Sequence, residues 1–167
     1  MPKQEPIEIR EMRVDDIPAV VALGTALFSA DKLPTLYRCW EESEVLRIYQ
    51  NYKDLCLVAA RNGRIMGFAL GSLLDKPGSP WKYGWLDWLG TAPRYKRKRI
   101  ASRLCKQLQS RMIQAGVRIM LVDTYEKNTR AINFFKKIGY DQEIRHVYMS
   151  LNLDNHPETI NRKKDAE

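Results

Sequence analysis

The dipeptide Asn62-Gly63 limits what this chain can fold into more than any other feature. It divides the run "LCLVAARNGRIMGFALGSLL", which is rich in Leu, Val, Ile and Ala on both sides. A type I′ turn needs positive φ at both central residues, and Asn-Gly meets that need at low steric cost. Two antiparallel strands joined at residues 62 and 63 are therefore predicted.

Around this hairpin the apolar periodicity alternates between two values. "IEIREM" (Ile7–Met12) reads as a strand. "VDDIPAVVALGTALF" reads as a helix, with Asp15 as its cap and Pro18 in its first turn, where a missing N–H is tolerated. Glu41–Tyr52 reads as a second helix. "YGWLDWLGT" is another strand after the loop "DKPGSP". "IASRLCKQLQSRMIQAG" places apolar residues at Ile100, Leu104, Leu108 and Met112 on one helix face and stops at Gly116. "RIMLVDTY" is apolar on both faces, as a central strand is. "NTRAINFFKKIG" is a short helix capped by Asn128 and ended by Gly139. "IRHVYMSLNL" reads as a last strand, and the polar residues 154–167 form a patternless, mobile tail. The order strand, two helices, three strands, helix, strand, helix, strand predicts an α/β (α+β) fold with a mixed sheet and helices on both faces. No repeat or linker divides it, so residues 1–153 read as a single domain.

Length and composition narrow the partners. The chain has 167 residues and a formal net charge of +8. Such a balance favours anionic ligands. The three cysteines, Cys39, Cys56 and Cys105, show no metal-ligand spacing and read as buried free thiols in a reducing compartment. The first residues lack the apolar core of a signal peptide, and no apolar run is long enough for a membrane span. A cytoplasmic protein without a membrane partner is expected.

The basic stretch "RYKRKR" (Arg94–Arg99) admits three readings: a solvated face, a nucleic-acid contact or a phosphate cradle. Its place decides between them. It lies between the end of a strand and the start of a helix, where unpaired N–H groups and the helix dipole attract anions. Its cations sit in one turn, with no stacking platform or nucleic-acid motif beside them, which argues against nucleic acid.

"TAPRYKRKRIASRL" resembles the cofactor loop of the GNAT superfamily of acyl-CoA N-acyltransferases, Gln/Arg-x-x-Gly-x-Gly/Ala. Lys96 stands at the Gln/Arg position and Ala101 at the last small residue. "NTRAINFFKKIGY" is similar to the second signature of that family, matching at Asn128, Ala131, Lys137, Gly139 and Tyr140. Together with "VYMSL" it resembles the N-terminal acetyltransferase branch. The resemblance spans roughly residues 7 to 151. It implies a mostly antiparallel sheet in which the strands Trp85–Thr91 and Arg118–Tyr125 splay apart to admit acetyl-CoA. Backbone at Leu89, Gly90 and Thr91 would face the pantetheine. Lys96, Arg97, Lys98, Arg99, Ile100, Ala101 and Ser102 would hold the pyrophosphate. Asn128, with Ala131, Phe134, Phe135 and Lys137 on its helix, would lie along the pantetheine arm.

Two positions depart from the family pattern. Arg99 replaces the first loop glycine. If φ there is positive, Arg loses freedom that Gly has; if negative, its N–H and side chain both remain usable. Phe135 replaces the tyrosine that commonly protonates the departing thiolate, which leaves water, Tyr125 or Tyr148 as donors.

An amine attacks a thioester only as the free base, so a base must take its proton. Asp87 is the one acidic group in its apolar strand. Alternation puts it on a face with Trp85 and Leu89, and burial there would raise its pKa. Asp123 and Glu126, after the next strand, are second choices. Trp81, Tyr83 and the segment holding Tyr37, Trp40 and Tyr52 would shape the acceptor cleft, while Trp88 reads as core. The leading expectation is an acetyltransferase acting on a primary amine of a protein N-terminus, a lysine or a small molecule. A non-catalytic acyl-CoA-binding module is the alternative, a nucleic-acid binder a weaker one, and a homodimer is left open.

Overall fold

A computed structural model describes residues 6–29, 31–32, 38–95 and 98–164. Five strands form one sheet in the order β1 (Glu8–Glu11), β2 (Cys56–Arg61), β3 (Arg64–Leu74), β4 (Lys82–Thr91) and β5 (Val117–Leu121). The first four pair antiparallel with their neighbours, and β4 pairs parallel with β5. The mixed, mostly antiparallel sheet is the one expected. The β2–β3 turn has Asn62 at φ 51° and Gly63 at φ 71°, the left-handed values a type I′ turn requires.

Helices cover both faces. On one side lie α1 (Ile17–Phe28) and α2 (Glu42–Asn51). Val20, Val45 and Ile48 pack there on Val58, Phe68, Leu70 and Trp88. On the other lie α3 (Ile100–Gln114) and α4 (Thr129–Lys137). Ile100, Leu104, Leu108 and Met112 are each at most 1% exposed, and pack on Leu57, Met66, Ala69 and Leu86. The four-residue spacing that marked this face is therefore the spacing that builds the core.

Gly24 in α1 lets Trp40 reach the core. A Cβ at Gly24 would lie only 2.0 Å from the Trp40 ring. That ring stacks on Phe68 at 5.1 Å, meets Trp88 edge-on, and donates its indole N–H to the Val21 carbonyl at 3.0 Å. Trp40, read as part of the acceptor cleft, packs between α1 and the sheet.

Four expectations are corrected. Asp16, not Asp15, organises the entry to α1: its carboxylate accepts from the Arg13 N–H at 2.7 Å and pairs with Arg10 at 2.6 and 2.9 Å. β5 is not central; among the described residues it pairs with β4 alone and is half-buried. Ile144–Leu153 forms no strand, because no described strand pairs with it. The tail has structure: α5 spans Pro157–Lys164. There the Glu158 N–H donates to His156 Nδ1 at 3.3 Å, and Lys163 pairs with Asp154 at 3.2 Å.

Candidate active site

The site begins with an irregularity in β4. Leu70 of β3 faces Trp88, and the next residue, Gly71, faces Leu86. Asp87 is thus the extra residue of a β-bulge, which re-aims its side chain and bends the strand. The bulge breaks simple alternation. Leu86 and Trp88, two residues apart, belong to opposite cores, and Leu89 packs on the α3 side. Leu89 therefore does not share the face of Asp87 and Trp85.

The bulge coincides with the splay. β5 follows β4 only from Lys82↔Val117 to Trp85↔Leu121. From Leu86 to Thr91 the edge of β4 toward β5 has no strand partner among the described residues. The Thr91 hydroxyl is buried there without a hydrogen-bond partner among the described residues. An open strand edge with an orphaned hydroxyl fits a ligand that bonds to backbone as an added strand does. Leu89, Gly90 and Thr91 all lie on this stretch of β4.

Arg38 links Asp87 to side chains from distant parts of the chain. Arg38, just before α2, pairs with Asp87 at 3.6 Å and with Asp123 at 2.5 Å. Asp123, two residues beyond β5, also accepts from the Trp85 indole at 3.2 Å. The Arg38 guanidinium lies 5.9 Å from the Trp85 ring and 5.8 Å from Trp88. Glu44 of α2 accepts from the Trp88 indole at 3.5 Å, and Arg47 holds its carboxyl below the usual carboxylate range.

Asp87 is poised between opposing influences. Its side chain is 10% exposed, and Oδ2 is buried without a hydrogen-bond partner among the described residues. Burial pushes its pKa above the usual carboxylate range, while Ser72 and Arg38 pull it down and Glu44 adds to the rise. Arg38, Glu44 and Ser72 were missed in the sequence. A carboxylate alone in an apolar strand signals that partners must exist, but not which ones.

The other predicted positions fall as follows. Lys96 and Arg97 lie outside the described residues, as does Tyr37. Lys98 is exposed, its ammonium 5.8 Å from the Tyr95 ring centroid. Arg99 has φ 56°, the left-handed region, so the first of its two alternatives holds. The first turn of α3, with Ala101 and Ser102 half-buried, has no side-chain cap, and the Ile100 side chain belongs to the core. Asn128 caps α4 through Oδ1, accepting from the Ala131 N–H at 3.2 Å, and donates to Thr124 at 3.2 Å.

Within α4, Lys137 is exposed. Phe135 is 9% exposed and packs edge-on against Phe134 and Tyr140. The Tyr140 hydroxyl is buried without a hydrogen-bond partner among the described residues, and burial holds its pKa well above the ordinary phenol value. Tyr125, Glu126 and Tyr148 are exposed. Trp81 is also exposed, with Arg118 over its ring at 5.6 Å. Cys56 and Cys105 are buried, with pKa values pushed up to about 12, but Cys39 is exposed, contrary to expectation. Among the described residues, no helix is long and apolar enough to cross a membrane.

The sheet thus opens beside a bulged strand that carries a buried carboxylate. The family model for the acetyltransferase (GNAT) family matches residues 25–140, and the chain belongs to that family, whose acyl donor is acetyl-CoA. An acetyltransferase of Pectobacterium atrosepticum is 29% identical over 137 residues, covering 81% of this chain and 88% of that protein. An acetyltransferase of Yersinia pestis is 27% identical over 139 residues, covering 82% and 89%. Among solved structures, an aminoglycoside N-acetyltransferase in complex with CoA superposes with a TM-score of 0.70 at 19% identity, covering 90% of this chain and 98% of that one. A Trypanosoma brucei acetyltransferase superposes with a TM-score of 0.67 at 19% identity, covering 87% and 100%.

Proposed function

We propose that this acetyltransferase acetylates a primary amine, with Asp87 as the general base and residues 1–153 as the catalytic domain. The observation that carries this reading is the Asp87 carboxylate itself, 10% exposed and held by burial above the usual carboxylate range, at a bulge beside an open strand edge. Arg38 pairs with Oδ1, and the exposed part of the carboxylate would take the proton of the incoming amine. Trp85 and Trp88 lie beside the Arg38 guanidinium that pairs with the carboxylate, and burial raises the carboxylate's pKa, which strengthens its pull on that proton.

Acetyl-CoA supplies an activated acetyl thioester. The β4 edge at Leu89, Gly90 and Thr91 would hold its pantetheine, and the Thr91 hydroxyl offers one bond. The uncapped first turn of α3, with Lys96–Ser102, would hold its phosphates. Asn128 and the Ala131–Phe135 face of α4 would line the far wall. Phe135 has no proton to give, and a thiolate, from a thiol of pKa roughly 8.5, leaves without one at modest cost. Water, Tyr125 or Tyr148, all on the solvent side, would return the proton.

For the acceptor, Asp87, Glu44 and Asp123 favour a cationic small molecule over a neutral one. The likeness to aminoglycoside acetyltransferases supports the same class. The buried free thiols support a reducing, cytoplasmic setting.

The test is release of free thiol from acetyl-CoA across a panel of amines. Thiol release that depends on a cationic primary amine is expected. Tight acetyl-CoA binding without acceptor-dependent release would instead indicate a non-catalytic acyl-CoA-binding module.

A further inference from the structure

The guanidinium of Arg38 holds a place that suits a cation from outside the chain. Two carboxylates and two indole rings share it. Asp123 lies 2.5 Å from one of its nitrogens and Asp87 3.6 Å from another. Its central carbon sits over the Trp85 ring at 5.9 Å and the Trp88 ring at 5.8 Å, within the range of cation–π attraction. Glu44, the third acid nearby, accepts from Arg47 at 3.0 Å and from the Trp88 indole at 3.5 Å. Asp87 and Asp123 are thus the two carboxylates that Arg38 bridges.

The two ends of this bridge differ. At Asp123 the distance is that of a charge-assisted hydrogen bond, and the Trp85 indole donates to the same carboxylate at 3.2 Å. At Asp87, 3.6 Å is too long for a hydrogen bond, so charge alone holds the contact. The weaker end is the one at the carboxylate read as the base. The root of the side chain is tethered. Trp40, two residues on, stacks on Phe68 and donates to the Val21 carbonyl. The Arg38 side chain is 22% exposed, so its guanidinium has a way out to solvent by rotation alone.

We propose that Arg38 occupies the acceptor's own cation site and selects acceptors that carry two positive charges on a short chain. A singly charged amine entering at Asp87 meets the guanidinium still held at Asp123, and like charges repel. A diamine replaces both contacts at once. One nitrogen takes Asp123, and the other reaches Asp87 and is the one acetylated. The rings that face the guanidinium then face the diamine. Arg38 also sets the affinity of the acceptor, because the site is open only in the fraction of molecules from which the guanidinium has withdrawn. This inference rests on Asp87 as the base and adds the residue that controls access to it.

The test reads binding by calorimetry on the full chain at neutral pH. It needs no turnover, so it can fail while Asp87 stands as the base, and a wrong base would show in turnover alone. The native protein should bind diaminobutane more tightly than butylamine. Arg38→Met should bind diaminobutane roughly tenfold more tightly than the native protein, since the competing cation is gone. Its acetyl-CoA affinity should be unchanged. Free guanidinium ion, far below denaturing concentrations, should compete with diaminobutane in Arg38→Met and move its affinity back toward the native value. A second variant, Asp123→Asn, leaves Arg38 in place and should lose the preference for the diamine. Weaker diaminobutane binding by an Arg38→Met protein that melts as the native one does would overturn the proposal, because Arg38 would then help to hold the acceptor. Equal native affinities for diaminobutane and butylamine, or an Asp123→Asn protein that keeps the native preference, would overturn it too.

Discussion

The burial that would suit Asp87 to the proposed role of base is also a burden on folding. Burial raises its pKa above the ordinary carboxylate value. The unfolded chain gives up this proton near pH 3.9, the folded chain at a higher pH. Between those two values the folded state holds more protons. Stability therefore falls as pH rises through that window and stays lower above it. At neutral pH the charge works against the fold, and Arg38 and Ser72 offset only part of it. Asp87→Asn keeps the shape and removes the charge, so its Tm at pH 7 should exceed that of the native protein in a thermal scan. A lower Tm would mean that the Arg38 ion pair outweighs the burial penalty. Arg38 and Glu44 show what sequence reasoning cannot reach at this scale. Both approach the bulge from the segment before β2, and only the fold brings them there.

At the level of elements, helical faces and turns were legible because their signals are local. Asn62-Gly63 specified its own turn, and Ile100, Leu104, Leu108 and Met112 their own face. Strand partners were not legible. A run apolar on both faces reads alike at a sheet's centre and at its edge, which is why β5 was expected to be central. A bulge has no composition of its own, so Leu89 was assigned to the wrong face. The start of α3 adds a strain of the same hidden kind. Arg99 sits at φ 56°, where a residue with a Cβ costs about 1–2 kcal/mol more than glycine. Arg99→Gly should raise stability by about 1 kcal/mol in denaturant titration. If the side chain meets phosphate, the same variant should weaken acetyl-CoA binding by about 1.5–3 kcal/mol. Lower stability in the variant would show that the left-handed conformation is held at no cost.

The whole molecule is organised around one opening. Two cores lie on opposite faces of the sheet, and the bulge at Asp87 falls where the β4–β5 pairing stops. The open strand edge and the buried carboxylate thus meet at one irregularity. If that account is right, cofactor binding and proton removal are separable functions of neighbouring residues. The direct measurement is the pH dependence of kcat for the native protein and Asp87→Asn, with acetyl-CoA affinity measured in parallel. The native profile should fall on the acid side, with its midpoint above the usual carboxylate range, because only ionised Asp87 accepts the proton. The variant should bind acetyl-CoA with native affinity, lose roughly 10²–10⁴-fold in kcat at neutral pH, and lose the acid limb. A variant that keeps both its turnover and its acid limb would contradict Asp87 as the base.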